Sequence, residues 1–371
     1  MFLNDWGLGM GYPSAATTTA TVRPPPSEVL DRLSRVSGDR GHTGLARRLS
    51  ELMLFLREDL GSFEASFGEK LETGDVVRDS AAHLLVRGGK RMRPLCVMLA
   101  SRVGEGFDDR GVDLAVAAEL VHSATLLHDD VVDLGDVRRG APAARTVFGN
   151  AASIFAGDWL LIEALRRVRR AAVPGTLGSL LDVIDEMIHA EALQLESRGR
   201  LDVDREGWLQ VVEGKTASLF RWVMLAGANA GGLSAEHAAS LEAYGTDIGV
   251  AFQAVDDLLD LTGDADATGK ALFADVREGK MTWPLIVALE RAPEVAVDLA
   301  AIAGSPPGAS VDSAAAGRVL EAVKRTEAIA DCRTMAEGRI ASAVARLDTL
   351  PDTPATRALA TVAAAVVERR S

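Results

Sequence analysis

Residues 114–127 run almost without interruption through apolar side chains and then stop at His128-Asp129-Asp130-Val131-Val132-Asp133, so a helix built for burial ends in three carboxylates. That combination constrains the fold more than any other feature of the chain. At 100° per residue, Asp129 and Asp133 lie about 40° apart around a helix and about 6 Å apart along it, and both can face one site. The pattern returns in Gly249-Val250-Ala251-Phe252-Gln253-Ala254-Val255-Asp256-Asp257-Leu258-Leu259-Asp260, again with acids at i, i+1 and i+4 on an apolar helix. A single Asp-Asp-x-x-Asp is ordinarily a solvated helix end. Two copies on apolar helices crowd like charges, which at about 4 Å and an effective dielectric of about 20 repel by about 4 kcal/mol. Cations remove that cost, and hard carboxylate oxygens in this arrangement suit Mg²⁺. The candidate metal residues are therefore Asp129, Asp130, Asp133, Asp256, Asp257 and Asp260.

Scarce aromatics and abundant alanine and leucine favour helix over strand in the 371 residues. Helical periodicity follows helical periodicity, punctuated by Gly88-Gly89, Pro142, Pro174-Gly175, Gly231-Gly232 and Pro306-Pro307. One all-α domain over residues 28–371 is the simplest account, preceded by a flexible Pro/Ser/Thr-rich leader at 1–27 that buries little. A loop near 304–310 precedes two final alanine-rich helices, predicted at 313–347 and 353–370. No repeat of fixed period is visible, which weakens a solenoid. With 53 acidic and 40 basic side chains the net charge is −13, which repels nucleic acid and anionic membrane. An anionic substrate would need cations to mediate. Cys96 and Cys332 form no disulfide or zinc spacing and fit a reducing cytoplasm. No run reaches the ~18 apolar residues of a membrane span, and residues 1–10 lack a basic signal region, so the chain reads as soluble.

Cations suited to a phosphorylated ligand flank the triads. Arg87-Gly88-Gly89-Lys90-Arg91-Met92-Arg93-Pro94 pairs glycines, which let backbone approach an anion, with Arg forks that bind phosphate oxygens in pairs. Arg138-Arg139-Gly140 comes one short loop after Asp133, and Lys215-Thr216, Lys270 and Lys280 complete the set. Cations and acids together point to Mg²⁺-diphosphate. Three look-alikes fail. Leu209 stands where a nucleotide loop ending in Gly214-Lys215-Thr216 needs its first glycine. Thr268 and Asp275 occupy the fifth and twelfth positions of a calcium-like loop starting at Asp264. Arg166-Arg167-Val168-Arg169-Arg170 reads as a solvated face.

In this order and approximate spacing, Gly88-Gly89-Lys90-Arg91-Met92-Arg93-Pro94, Asp129–Asp133, Arg138-Arg139-Gly140, Lys215-Thr216-Ala217, Phe252-Gln253-x-x-Asp256–Asp260 and Gly279-Lys280 make the chain resemble the trans-isoprenyl diphosphate synthases, the polyprenyl synthetase family, over about 70–350. The resemblance implies a large helical bundle, the isoprenoid synthase fold, around a deep central cavity, usually as a homodimer. It implies that Asp129, Asp133 and Asp256 bind Mg²⁺ directly, three ions in all, while Asp130, Asp257 and Asp260 act directly or through water. Arg138, Lys215 and Lys270 would hold the allylic diphosphate. Lys90, Arg93, His122 and Arg139 would hold isopentenyl diphosphate, with Lys280 a weaker addition. Thr216 and Gln253 would help steady an allylic cation. The reaction implied is head-to-tail elongation of the allylic diphosphate, with neither a protein nucleophile nor a catalytic His.

Product length is then a packing question. Ala124 and Thr125, five and four residues before Asp129, with Ala117 and Ala118 further down, are small where short-chain members typically place Phe or Tyr. An open tunnel and a long polyprenyl product are the expectation; a geranylgeranyl or farnesyl diphosphate synthase is the alternative. The second triad and Gly-Gly-Lys-Arg oppose a class I terpene cyclase, and retention of both triads opposes a non-catalytic subunit. Ala190, Trp208 and Trp283 depart from the family's usual Gly, Tyr and Leu.

Overall fold

The computed structural model describes residues 43–68, 74–262, 273–304 and 312–368. They form the expected all-α bundle: α1 (Thr43–Phe55), α2 (Arg57–Gly68), α3 (Val76–Leu85), α4 (Met92–Val103), α5 (Asp109–Val132), α6 (Ala144–Phe148), α7 (Asn150–Ala171), α8 (Thr176–Glu196), α9 (Arg205–Val212), α10 (Ser218–Ala230), α11 (Ala235–Thr262), α12 (Ala274–Arg277), α13 (Trp283–Arg291), α14 (Ala296–Ala303), α15 (Ser313–Arg325), α16 (Ala328–Leu347) and α17 (Pro354–Glu368). A π-helical turn, Glu213–Ala217, joins α9 to α10. Among the described residues the only strands are β1 (Val137–Arg138) and β2 (Ala141–Pro142), an antiparallel pair with Arg138 opposite Ala141.

The two helices that carry the acids are the interior of the bundle. Asp108 starts α5 by accepting from Arg110 N and Gly111 N, satisfying donors that have no partner inside the helix. Buried side chains then cover α5 on every face, as its sequence demands. It packs against α7 and α4; α4 packs on α10, α10 on α11, and α11 on α16. Glycine sets two of these distances. A Cβ on Gly227 would stand 2.7 Å from Val97 O of α4, and one on Gly249 of α11 would stand 2.4 Å from Ala217 Cα of the π turn. Both triads thus finish long buried helices, with Asp133 just past the last turn of α5 and Asp260 in the last turn of α11.

Two expectations are corrected, the second only in part. The helix predicted over 313–347 is two helices, broken at Thr326 and Glu327, where Glu327 adopts φ 55°. Thr326 turns its hydroxyl back onto Ala322 O, and its carbonyl accepts from Arg291 Nη1 at 2.7 Å. In the arginine run of α7, Arg166, Arg169 and Arg170 are exposed as expected, but Arg167 is buried, bonding Ser66 and Asp113, and Arg170 also holds Asp113. The last helix is described over Pro354–Glu368, and the predicted end at 370 lies outside the described residues. The proposed leader at 1–27, most of the loop near 304–310, Lys270 and the calcium-like loop from Asp264 through Thr268 lie outside the described residues. No described helix is long and apolar enough to cross a membrane.

Candidate active site

Each acid of the first triad meets a different cation. Lys215 Nζ stands 3.8 Å from Asp129 Oδ1. Burial, with Glu191 and Asp133 nearby, nevertheless raises the Asp129 pKa against the pull of Lys215. Asp130, buried, accepts from Arg138 Nε at 2.8 Å and Nη2 at 2.5 Å, while its Oδ2 is buried with no partner. Asp133 accepts from Lys280 Nζ at 2.6 Å and from Arg198. Burial works against its ionisation, but Lys280, Lys215 and Arg198 prevail and hold its pKa below the ordinary value.

Local sequence explains how Arg138 arrives. Arg139 and Gly140 form a two-residue hairpin turn with φ 53° and 72°, the backbone that matches strand twist and that glycine adopts freely. The turn folds Arg138 back over the end of α5 and sends Arg139 to Gly88 O and, at 3.4 Å, to Leu84 O.

In the second triad Asp256 is half-buried, within electrostatic reach of Arg93. Asp257 is buried: Oδ2 accepts from Trp208 Nε1 at 2.8 Å and Trp283 N at 3.1 Å, and Oδ1 accepts from Gln253 Nε2 at 3.0 Å. Burial, reinforced by Asp275, pushes its pKa up to about 7. Asp260 Oδ1 accepts from Ala274 N at 3.1 Å.

One peptide bond joins the side chains that link the triads. Lys215 donates to Glu191 Oε2 at 2.5 Å and Gln194 Oε1 at 2.9 Å beside Asp129, and Thr216 Oγ1 donates to Gln253 Oε1 at 3.1 Å, whose amide reaches Asp257. The two acidic helix ends therefore open on one mouth. A π turn carries both residues, and such turns recur at functional sites because they re-aim side chains. A cavity of about 130 Å³ adjoins it, with Lys215, Thr216, Gln253, Asp257 and Lys280 in its wall.

A second cationic group surrounds His122. Arg93 stacks 4.7 Å from the Phe220 centroid, its Nε buried without a hydrogen-bond partner. Burial and then Arg93, Arg139, Arg138 and Arg91 drive the His122 pKa well below 6.5, leaving a neutral imidazole that can both donate and accept. Lys90 is exposed at the rim. Arg91 is engaged elsewhere, pairing with buried Glu119 at 2.5 Å and lying 4.4 Å from the Phe67 centroid. Gly89 lets Arg139 approach closely, since a Cβ there would stand 2.9 Å from Arg139 Nη2 and push the guanidinium aside.

Sequence reasoning missed Glu119, Glu191, Gln194 and Arg198. The importance of each comes from a distant partner; only Glu119, a charge inside an apolar run, left a trace. Two expectations about space and metal are also adjusted. Ala117, Ala118 and Ala124 have no exposed surface, so no water-sized space adjoins them and the tunnel expected there is filled by neighbouring side chains. Thr125 is half-buried and bonds His122 O at 2.8 Å. Among the described residues no three His, Cys, Asp or Glu side chains converge on one ion-sized point. The carboxylates are spread along two helix ends, those of the first triad each facing a separate cation, although the donor set, hard oxygens with the partnerless Asp130 Oδ2 among them, suits Mg²⁺.

Comparison with known proteins is consistent with this geometry. The polyprenyl synthetase family profile matches residues 75–316. A short chain isoprenyl diphosphate synthase of Methanothermobacter thermautotrophicus is 35% identical, the match covering 80% of this chain and 91% of that protein. The octaprenyl diphosphate synthase of Escherichia coli is 33% identical over 84% of this chain and 96% of its own. A crystal structure of polyprenyl synthase from Caulobacter crescentus, complexed with calcium and isoprenyl diphosphate, superposes with a TM-score of 0.81 at 31% identity, covering 87% of this chain and 98% of that one. The chain belongs to the polyprenyl synthetase family and is a prenyltransferase that works by chain elongation.

Proposed function

We propose that the protein condenses an allylic diphosphate with isopentenyl diphosphate, using three Mg²⁺, to give a long-chain polyprenyl diphosphate. Asp129, Asp133 and Asp256 would hold the metal, with Asp130 and Asp260 behind them. When bound, Mg²⁺ supplies positive charge to a departing diphosphate. The chain's own residues do the rest. Lys215 and Arg138, with Lys270 by resemblance, orient the allylic diphosphate and share its negative charge as the C–O bond ionises. Arg93, Arg139, Lys90 and neutral His122 hold isopentenyl diphosphate so that its double bond faces the allylic carbon, and Lys280 adds charge at the mouth. Thr216 and Gln253 present oxygen dipoles to the allylic cation, and the surrounding apolar helices exclude water. The proton lost after the new C–C bond forms goes to the released diphosphate, so no side chain serves as a base.

The observation that carries this reading is the reach of adjacent Lys215 and Thr216, one to each acidic helix end. Incubation of pure protein with Mg²⁺, isopentenyl diphosphate and dimethylallyl, geranyl or farnesyl diphosphate, followed by chromatography of the products, tests it. Elongation past geranylgeranyl diphosphate is expected; no elongation refutes the function, and products stopping at farnesyl or geranylgeranyl diphosphate refute the long-chain assignment. Relatives named octaprenyl, heptaprenyl and nonaprenyl diphosphate synthases support the longer product. Small Ala124 supports the longer product, provided an entering chain displaces the side chains now packed against it.

A homodimer is part of the same proposal. Leu181, Ile188 and Leu195 are exposed at seven-residue intervals on α8, and Phe155 and Ile162 repeat that interval on α7. Seven residues are nearly two helical turns, so each set forms a stripe suited to packing against a second copy. Buried, free Cys96 and Cys332 suit a cytoplasmic setting.

A further inference from the structure

We propose that Asp257 is a positioning residue rather than a metal ligand, and that Trp208 and Trp283 form the clamp that holds it. The inference rests on the functional reading above and concerns which acids of the second triad face the substrate. Asp256 and Asp260, four residues apart, lie about 40° from each other around α11, whereas Asp257 lies about 100° from Asp256. That turn takes Asp257 to α9 and α13. Both of its oxygens are engaged by the three donors Trp208 Nε1, Trp283 N and Gln253 Nε2. The indoles meet edge to face, centroids 4.9 Å apart and planes at 72°, which fixes the direction of the Trp208 N–H.

The backbone bond gives Asp257 a second role. Thr282, the residue before α13, makes no side-chain cap, and its Oγ1 is buried without a partner. Asp257 instead caps α13 from across the bundle by accepting from Trp283 N, its first residue. Lys280 lies three residues earlier and bonds Asp133. Asp257 thereby fixes where the stretch of chain carrying Lys280 ends, and so connects the second triad to the first. At the outer end, Trp283 Nε1 donates to Asp331 Oδ1 at 3.0 Å, with Arg205 5.2 Å from the Trp283 centroid and Arg291 on Asp331. These residues line a surface depression of about 420 Å³, so the clamp runs from solvent to the mouth.

The test compares Asp256→Asn, Asp257→Asn, Asp257→Ala and Trp208→Phe by calorimetric titration of inorganic pyrophosphate with Mg²⁺ and by steady-state kinetics. Asp257→Asn keeps an acceptor for both N–H groups; its pyrophosphate affinity is expected within about twofold of wild type, whereas Asp256→Asn loses about tenfold or more. Asp257→Ala is expected to lower kcat by about thirtyfold with little change in KM, Asp257→Asn to recover about tenfold of that loss, and Trp208→Phe to lower kcat by about tenfold. Asp257→Asn binding pyrophosphate as weakly as Asp256→Asn overturns the proposal, as do wild-type kinetics for Trp208→Phe or an Asn variant no better than Ala. Wild-type protein that binds no pyrophosphate with Mg²⁺ overturns the functional reading as well, and is thereby told apart from failure of the clamp alone.

Discussion

His122 shows how a residue's surroundings decide its chemistry. Its pKa is driven well below 6.5 by burial and four arginines. Below pH 6.5 the unfolded chain takes up a proton that the folded chain refuses, so stability is full above that pH and falls as acid is added, by up to about 1.4 kcal/mol per pH unit. Thermal unfolding measured between about pH 7.5 and 5.5 is expected to show a smaller loss for His122→Gln than for wild type; parallel curves would count against the assignment. Ala124 makes the opposite point, that a small side chain need not border empty space. Ala124→Phe is expected to cost about 1–3 kcal/mol through overpacking and to shorten the product, and an unchanged product distribution on chromatography would remove Ala124 from any role in length. The residues legible in the sequence were those whose spacing was itself the signal, the two triads and the Gly-Gly-Lys-Arg run. Arg91 shows the limit: it shares that run yet pairs with Glu119, a contact across 28 positions that no local pattern encodes.

At the scale of elements, α11 and the π turn depend on one missing methyl group. Gly249→Ala would place a Cβ 2.4 Å from Ala217 Cα, where backbone rather than a flexible side chain must give way. We expect a loss of about 1–3 kcal/mol in denaturant midpoint experiments together with a fall in kcat, because Lys215 and Thr216 ride on the displaced turn; unchanged stability and turnover would show that the helices can part freely. The helices themselves were readable from alanine- and leucine-rich periodicity and from Gly and Pro punctuation. The break at Thr326 and Glu327 was not, since neither residue is a breaker and the turn is held by Arg291 from another helix. The π turn was hidden for a similar reason: one extra residue per turn changes hydrogen bonding without changing composition.

For the whole molecule, the exposed stripes of α7 and α8 carry the prediction. Phe155 and Ile188 are 60% and 62% exposed, and a single Asp at either position would set a charge against its symmetry mate in an isologous contact. Sedimentation velocity is expected to show a dimer for wild type and a shift toward monomer for Phe155→Asp or Ile188→Asp; an unaltered dimer would move the interface elsewhere. The overall architecture was legible because two buried helices ending in acids leave few solutions other than a bundle around them. The filled space beneath Ala124 was not legible, because small residues allow both an opening and close helix contact.

The peptide unit between Lys215 and Thr216 spans only about 3.8 Å from one Cα to the next. A gauge block of that length, rather than any long loop, spaces the two acid-bearing ends. Insertions elsewhere could lengthen the bundle and leave the spacing intact, but deleting one residue from this turn would restore ordinary helical pitch and remove the extra residue that lets Lys215 and Thr216 point to different ends. One acidic end would then lose its contact however well the other remained seated.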